Sequence, residues 1–244
     1  MYINLYNYIV YIMWREDDKT INYLAIIPAR SGSKGIKNKN VIKINDKESF
    51  RYTLEPLIES NIDKIFFSTD SLEYLNIYKK YYSPEKDVSF DYIRPDVISD
   101  NRSTTKEYIE DCLKFLKSKG YKINNFIILQ PTSLFRTCNQ INSIIDYHKS
   151  NNYNNVKSIS PVIQTPYYMI YNDNTMVIPN NIKNRQEQKQ VFILNGAYYV
   201  YSYEKYINNI SSYITYNMTT LEGLDLDDET DLLLIESILK NKNK

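Results

Sequence analysis

Apolar and polar positions along this chain fall into a repeating alternation. Short runs rich in β-branched and aromatic residues, at Leu24–Ile27, Lys64–Ser68, Phe126–Leu129, Val156–Ser160 and Ala197–Tyr201, read as strands. Between them lie stretches with helical patterning, at Arg51–Ser60, Leu72–Tyr82, Thr105–Lys119, Gln140–Ser150 and Asp231–Lys240. Strands separated in this way by helices predict an α/β fold with a mainly parallel central sheet. The rhythm breaks from about Tyr171 to Gln190, where Asn, Gln and Lys dominate, and this stretch predicts a projecting arm or a lid. The Lys/Asn tail after Leu239 is expected to fray.

The chain opens with YINLYNYIVYIMW, which is apolar and aromatic but interrupted by Asn4 and Asn7 and followed by Arg15, Glu16, Asp17 and Asp18. A membrane span takes about 20 predominantly apolar residues, and a signal peptide takes a basic start and small residues at a cleavage site. Neither pattern fits, so the expectation is an edge strand, a packed arm or a leader. Residues 1–20 are therefore set apart as an extension, and residues 21–244 are taken as one domain.

At 244 residues the chain is long enough to bury a full core. Its 30 basic and 29 acidic side chains leave a formal net charge of +1, so no global field draws it to nucleic acid or to an anionic membrane. Any anion binding must be local. Cys112 and Cys138 are far apart and His148 is the only histidine, which argues against structural zinc and against Ser-His-Asp chemistry. The thiols suit a reducing cytoplasm. His148 itself, in Asp146-Tyr147-His148-Lys149, reads as a helix-surface residue.

Local anion chemistry is concentrated in residues 24–40, LAIIPARSGSKGIKNKN. An apolar run ends at Pro28, and Ala29, Arg30, Ser31, Gly32, Ser33, Lys34 and Gly35 follow, with Lys37, Lys39 and Asn40 beyond. Two of the 5 glycines of the whole chain fall here. Glycine lets backbone amides approach an anion and the cations supply charge, so the segment reads as a triphosphate cradle, with a solvated turn as the plain alternative. Neither GxxxxGK[ST] nor GxGxxG is present, which sets aside the common ATPase and dehydrogenase fingerprints. Polar clusters also follow the next strand candidates, Ser68-Thr69-Asp70 and Gln130-Pro131-Thr132-Ser133. Reactive groups in open α/β sheets gather at the carboxyl ends of strands, so these clusters point to a single cleft.

The second signal is acidic, Gly223-Leu224-Asp225-Leu226-Asp227-Asp228-Glu229-Thr230-Asp231. In an extended segment Asp225 and Asp227 project to one side, and two oxygen donors on one face suit Mg²⁺ shared with substrate phosphates. The same run also suits a helix start, with Asp228 or Thr230 as cap. Arg94 and Arg136 are further candidate anion partners, although an arginine is usually solvated. Asn195-Gly196 reads either as an ordinary turn before a strand or as a place where substrate meets the backbone.

Taken in order, the blocks IIPARSGSKGIKNKN, FFSTDS, YIRPDVISDNRST, ILQPTSLFRT, FILNGAYYV and LDLDDETDLLL resemble the acylneuraminate cytidylyltransferases. These enzymes make CMP-activated sialic acids and related nine-carbon acidic sugars. The resemblance runs from about residue 24 to residue 240. It implies a Rossmann-like nucleotidyltransferase fold, a small dimerisation arm at about 162–192, a homodimer, and Mg²⁺-dependent transfer of CMP from CTP. Carried over by position, it places Ala29, Arg30, Ser33, Gly35, Lys39, Asn40 and Arg94 on the nucleotide. It places Gln130, Thr132, Arg185, Asn195 and Tyr199 on the acidic sugar and Asp225 and Asp227 on the metal, with Arg30, Lys39 and Asp227 as the catalytic set. Two departures stand out. Ile193 occupies a position that is basic in some members, and the SPLR of many members is Ser133-Leu134-Phe135-Arg136 here. The glycine loop and the QPTS block are more similar to the sialic or legionaminic acid branch than to the Kdo or pseudaminic acid branches.

The implied reaction is in-line attack of the sugar's anomeric hydroxyl on the α-phosphorus of CTP, with no separate general base evident. Two alternatives stay open on sequence: a nucleotidyltransferase for another sugar or sugar phosphate, and a non-catalytic nucleotide-binding protein.

Overall fold

The first strand, β1 (Thr20–Pro28), is buried on both faces. Tyr23, Ala25 and Ile27 enter one apolar layer, and Ile21, Leu24 and Ile26 enter the other. A strand covered on both sides has no polar face, which is why its apolar residues run on almost without alternation. The computed structural model describes residues 19–33, 35–100, 102–162, 164, 166–177, 186 and 189–242. Residues 1–18 of the expected extension and much of the expected arm lie outside the described residues.

β1 pairs in parallel with β4 (Lys64–Ser68) on one side and with β5 (Lys122–Ile128) on the other. β7 (Phe192–Ser202) runs antiparallel to both β5 and β6 (Val156–Pro161), and β8 (Ile214–Asn217) closes the edge parallel to β6. The sheet order is β4-β1-β5-β7-β6-β8, mainly parallel with β7 reversed. A small hairpin, β2 (Lys43–Ile44) with β3 (Lys47–Glu48), stands apart from it.

Helices α1 (Arg51–Glu59), α2 (Leu72–Tyr78) and α4 (Cys138–Ser150) pack on one face through Leu54, Leu57, Tyr74, Tyr78, Ile141 and Ile144. Helix α3 (Thr105–Ser118) covers the other through Ile109, Cys112, Leu113 and Leu116, joined by tyrosines of α5 (Tyr203–Ile207). The last helix, α6 (Glu229–Lys242), belongs to a third apolar cluster in which Ile235 and Leu226 meet Ile36, Ile44, Leu134 and Phe135. That cluster fastens the acidic run to the loop after β1.

Helix starts follow their caps. Thr104 with Glu107 and Thr137 with Gln140 form capping boxes, the second of which begins α4 two residues ahead of the predicted start. α2 stops at Tyr78, short of the predicted Tyr82, and the amides of Tyr81 and Tyr82 close a turn on the Tyr78 carbonyl just before Ser83-Pro84.

Three expectations are corrected. His148 is not a surface residue: it is fully buried on α4, with Nδ1 2.8 Å from the Tyr23 hydroxyl. Ile141, Ile144, Ile145 and His148 form one inward stripe at helical spacing. Asn195-Gly196 is not a turn before a strand but lies inside β7. There β6 advances two residues, from Lys157 to Ile159, while β7 advances five, from Tyr199 to Leu194. Gly196, at φ +75°, takes up that bulge in a conformation an L side chain resists. Arg136 is not solvated; it is buried, and its role emerges at the site.

Candidate active site

From β1 the chain passes to β4 on one side of the sheet and returns to β5 on the other. The loops leaving β1 and β5 therefore diverge and open a crevice between them. The cleft there has a volume of about 420 Å³. Ligand sites commonly fall in this range.

Arg30, Ser33, Gly35, Lys39 and Asn40 line the cleft from the β1 loop. The loop is tied down along its length. Asn40 Nδ2 donates to the Arg30 carbonyl at 2.8 Å, Ser49 Oγ donates to the Lys39 carbonyl at 2.7 Å, and the Asp70 carboxylate accepts from Ser31 N–H at 2.6 Å and Ser31 Oγ–H at 2.8 Å. Ala29 is buried behind this wall, its amide bonded to the Ser68 carbonyl at 2.8 Å.

Arg94 is also buried, yet it lines the cleft. Its Nε donates to Ser68 Oγ at 3.0 Å and its Nη2 to the Ser68 carbonyl at 2.7 Å, while Tyr108 lies under the guanidinium at 4.8 Å. Asp100, Ser103, Thr105 and Tyr108 continue the wall. Sequence reasoning assigned none of these four, although three of them fall in or beside the ISDNRST stretch that follows Arg94-Pro95-Asp96-Val97. Asp100 accepts from Ser103 Oγ and N–H and from Arg102 N–H, contacts that hold its carboxyl below the usual range.

The acidic run divides by task. Asp228 Oδ1 accepts from Thr230 and Asp231 N–H at 2.8 and 3.0 Å and caps α6. Leu224 and Leu226 turn into the third apolar cluster, and the Leu226 amide donates to the Thr132 carbonyl at 3.0 Å. Asp225 and Asp227 remain. Asp227 is exposed in the cleft with Oδ1 2.8 Å from Lys39 Nζ. Asp225 has a buried Oδ1 that makes no hydrogen bond. Burial pushes its carboxyl pKa up; the Thr132 hydroxyl and Lys39 act against that, and the Asp227 charge adds to it. An orphaned carboxylate oxygen beside a second carboxylate is a fitting donor set for a hard divalent cation. Among the described residues no group of three His, Cys, Asp or Glu is placed to hold a metal. Further ligands would thus come from phosphate and water, the arrangement Mg²⁺ favours.

Gln130 and the buried Thr132 line the cleft from the β5 loop. Gln130 Nε2 and Tyr199 Oη converge at Gly196, where an added Cβ would lie 3.7 and 3.8 Å from them. Burial raises the Tyr199 phenol pKa and the Asp225 charge adds to it. Asn195 is engaged otherwise. Its Oδ1 accepts from Ser158 Oγ at 2.5 Å and from the Ala197 amide at 3.1 Å, so the side chain holds the β7 bulge together. Arg136 clamps the same region: Nη2 donates to the Ala197 carbonyl at 2.7 Å, and Nη1 donates to the Gln130 carbonyl at 3.2 Å and to Thr53 Oγ1. It orients the wall of the cleft from behind. Arg185 lies outside the described residues.

Residues 24–238 match the family model described as Cytidylyltransferase. The chain belongs to the cytidylyltransferase family. It is 28% identical over 235 residues to an N-acylneuraminate cytidylyltransferase of Escherichia coli O18:K1:H7, an alignment covering 91% of this chain and 53% of that protein. It is 25% identical to the CMP-N,N'-diacetyllegionaminic acid synthase of Legionella pneumophila, covering 89% of this chain and 96% of that one. The chain spans about half the length of the N-acylneuraminate cytidylyltransferases it matches. In fold it is similar to CMP:2-keto-3-deoxy-manno-octonic acid synthetase, with a TM-score of 0.63 at 11% identity, covering 91% of this chain and 99% of the other. That likeness is one of fold, a Rossmann-like α/β architecture with a mainly parallel sheet. Among the described residues no helix is long and apolar enough to cross a membrane.

Proposed function

We propose that the chain transfers CMP from CTP to the anomeric hydroxyl of a nonulosonic, sialic-acid-like sugar and releases pyrophosphate. The observation that carries this reading is the meeting of a cationic loop with the acidic run at one crevice, marked by the contact of Lys39 with Asp227, which lines the cleft while Asp225 stands two residues behind it. Arg30, Ser33 and Lys39 would hold the triphosphate, Asn40 would fix the loop beneath it, and Arg94 would contribute charge from the opposite wall. Gln130 and Tyr199 would meet the sugar. The hydroxyl oxygen attacks the α-phosphorus in line and its proton passes to solvent, the bond from the α-phosphorus to the bridging oxygen breaks, and pyrophosphate leaves with that oxygen. Charge gathers on the phosphoryl oxygens, and Arg30 and Lys39 neutralise it. Asp225 and Asp227 would hold Mg²⁺, which when bound supplies further charge neutralisation and a more acidic attacking hydroxyl. The protein's main task is to place the two reactants together.

A homodimer belongs to the same reading. Phe192, Ile193 and Leu194 at the start of β7 are exposed in sequence, as are Tyr168, Met169, Ile170 and Tyr171. Runs of exposed apolar residues of this kind suit a partner interface, and a second copy of the chain is the occupant proposed. Free Cys112 and Cys138 suit a reducing compartment, and the reaction is assigned to the cytoplasm.

The test is pyrophosphate release from CTP and Mg²⁺ with N-acetylneuraminic, legionaminic, pseudaminic and Kdo acids in turn, with the Asp227→Ala variant as blank. Release with a sialic-type acid is expected. Silence with all four acids from a protein that still binds CTP overturns the assigned sugar class.

A further inference from the structure

The phosphate loop and the acidic segment touch at one backbone point. A Cβ at Gly35 would lie 2.3 Å from the carbonyl oxygen of Asp227 and 3.5 Å from its carbonyl carbon. The opposing atoms are backbone, so no change of rotamer relieves the overlap. Gly35 does not have the positive φ of Gly32, Gly120 and Gly196. Its lack of a side chain is thus demanded by the neighbour rather than by its own conformation.

Asp227 has little room to retreat. Leu226, one residue before it, is fully buried in the same apolar cluster as Ile36, the residue after Gly35, and its amide is bonded to the Thr132 carbonyl at 3.0 Å. On the other side the Asp227 amide donates to Asp231 Oδ2 at 2.9 Å, tying it to the first turn of α6. Lys39, from the same loop as Gly35, reaches the Asp227 carboxylate at 2.8 Å.

We propose that Gly35 is a positioning residue for Asp227. Its bare Cα lets the Asp227 main chain dock on the phosphate loop, and this contact sets the two carboxylates relative to a bound triphosphate. The inference deepens and rests on the cytidylyltransferase reading above. It differs from the expectation that Gly35 serves to bring a phosphate close to the backbone.

The experiment is calorimetric titration of CTP into the full chain, in EDTA and then in Mg²⁺. In Gly35→Ala, the metal-free affinity is the reference for the loop itself, and the reading is the ratio of the affinity in Mg²⁺ to the affinity in EDTA. The strengthening that Mg²⁺ brings should fall by about tenfold or more, the scale seen when groups that orient metal ligands are lost. Gly35→Ala added to a chain already carrying Asp225→Asn and Asp227→Ala should cause no further loss of that strengthening, because neither carboxylate remains to be set. Equal loss of CTP affinity with and without metal overturns the inference, because Gly35 would then act on the phosphate itself. Hydrogen exchange on the wild-type chain gives a second reading that needs no variant to fold. CTP in EDTA should slow exchange at residues 224–228 as well as in the loop, and protection confined to residues 29–40 overturns the docking contact. A wild-type chain that binds no CTP overturns the functional reading and this inference with it. Normal CTP binding with a Gly35→Ala variant unchanged in Mg²⁺ overturns this inference alone.

Discussion

Replacing Asp227 by alanine should separate catalysis from stability. The Asp227 side chain is 71% exposed, and among the described residues its ion pair is with Lys39. An exposed pair of this kind contributes about 0.2–1 kcal/mol. The structural bond at this residue, from its amide to Asp231, is made by the backbone and survives the substitution. The unfolding free energy should therefore fall by less than about 1 kcal/mol. Turnover should fall by about 10²–10³, or roughly 2.7–4 kcal/mol of transition-state stabilisation, as for other groups that meet developing charge. The assay is pyrophosphate release at saturating CTP and Mg²⁺, run beside urea unfolding of the same preparation. Near-normal turnover at saturating Mg²⁺ refutes the role of Asp227, and a stability loss of several kcal/mol refutes the exposed geometry. Asp225→Asn provides the contrast. It removes a buried charge with an orphaned oxygen, so the fold should be unchanged or more stable while turnover falls.

Further predictions follow from other parts of the molecule. Burial and the nearby Lys205 charge lower the His148 pKa from 6.5 to about 4, so the folded state excludes the proton that the unfolded chain takes up below pH 6.5. Stability should therefore decline as pH falls from 6.5 to 4, by about 3 kcal/mol in total, with no further contribution below that; a urea midpoint that matches His148→Gln across this range would contradict it. Arg136→Ala strands the carbonyls of Gln130 and Ala197, and the chain should lose about 1–3 kcal/mol of stability for each in urea titration. A loss below 1 kcal/mol would mean that the clamp is dispensable. Lys39→Ala should weaken CTP handling with the circular-dichroism spectrum preserved, and unchanged CTP kinetics would count against its phosphate role. Ile193→Glu should shift the light-scattering mass from dimer toward monomer, while a wild-type chain that is already monomeric removes the proposed interface.

The strands and helices were legible because burial leaves a periodic trace. Lys64–Ser68 appears as predicted, β1, β6 and β7 each contain the run that announced them, and β5 stops one residue short of the predicted Leu129. The short pieces were not legible. Lys43–Ile44 with Lys47–Glu48, Ile214–Asn217 and Tyr203–Ile207 are too brief to show a period, and the neighbours they pair with or pack on hold them. At the site, the glycine loop, the QPTS block and Asp225-Leu226-Asp227 stood out because cations, glycines and spaced carboxylates are chemically conspicuous. The wall from Asp100 to Tyr108 did not, since aspartate, serine, threonine and tyrosine are ordinary before a helix.

Sequence alone determined the alternation of strand and helix, the ends of strands where polar residues cluster, and the residue types available for phosphate and metal. Each of these rests on local chemistry or on a short period along the chain. Tertiary structure decided which polar groups are free to act. Arg136 and His148 looked solvated and are buried, and Asn195 is spent on Ser158 and the Ala197 amide. The acidic run divided between a cap and a cleft, and Gly35 met Asp227 across the fold. Those outcomes depend on contacts between residues as many as 192 positions apart, which the packing of the third apolar cluster creates and no local pattern encodes.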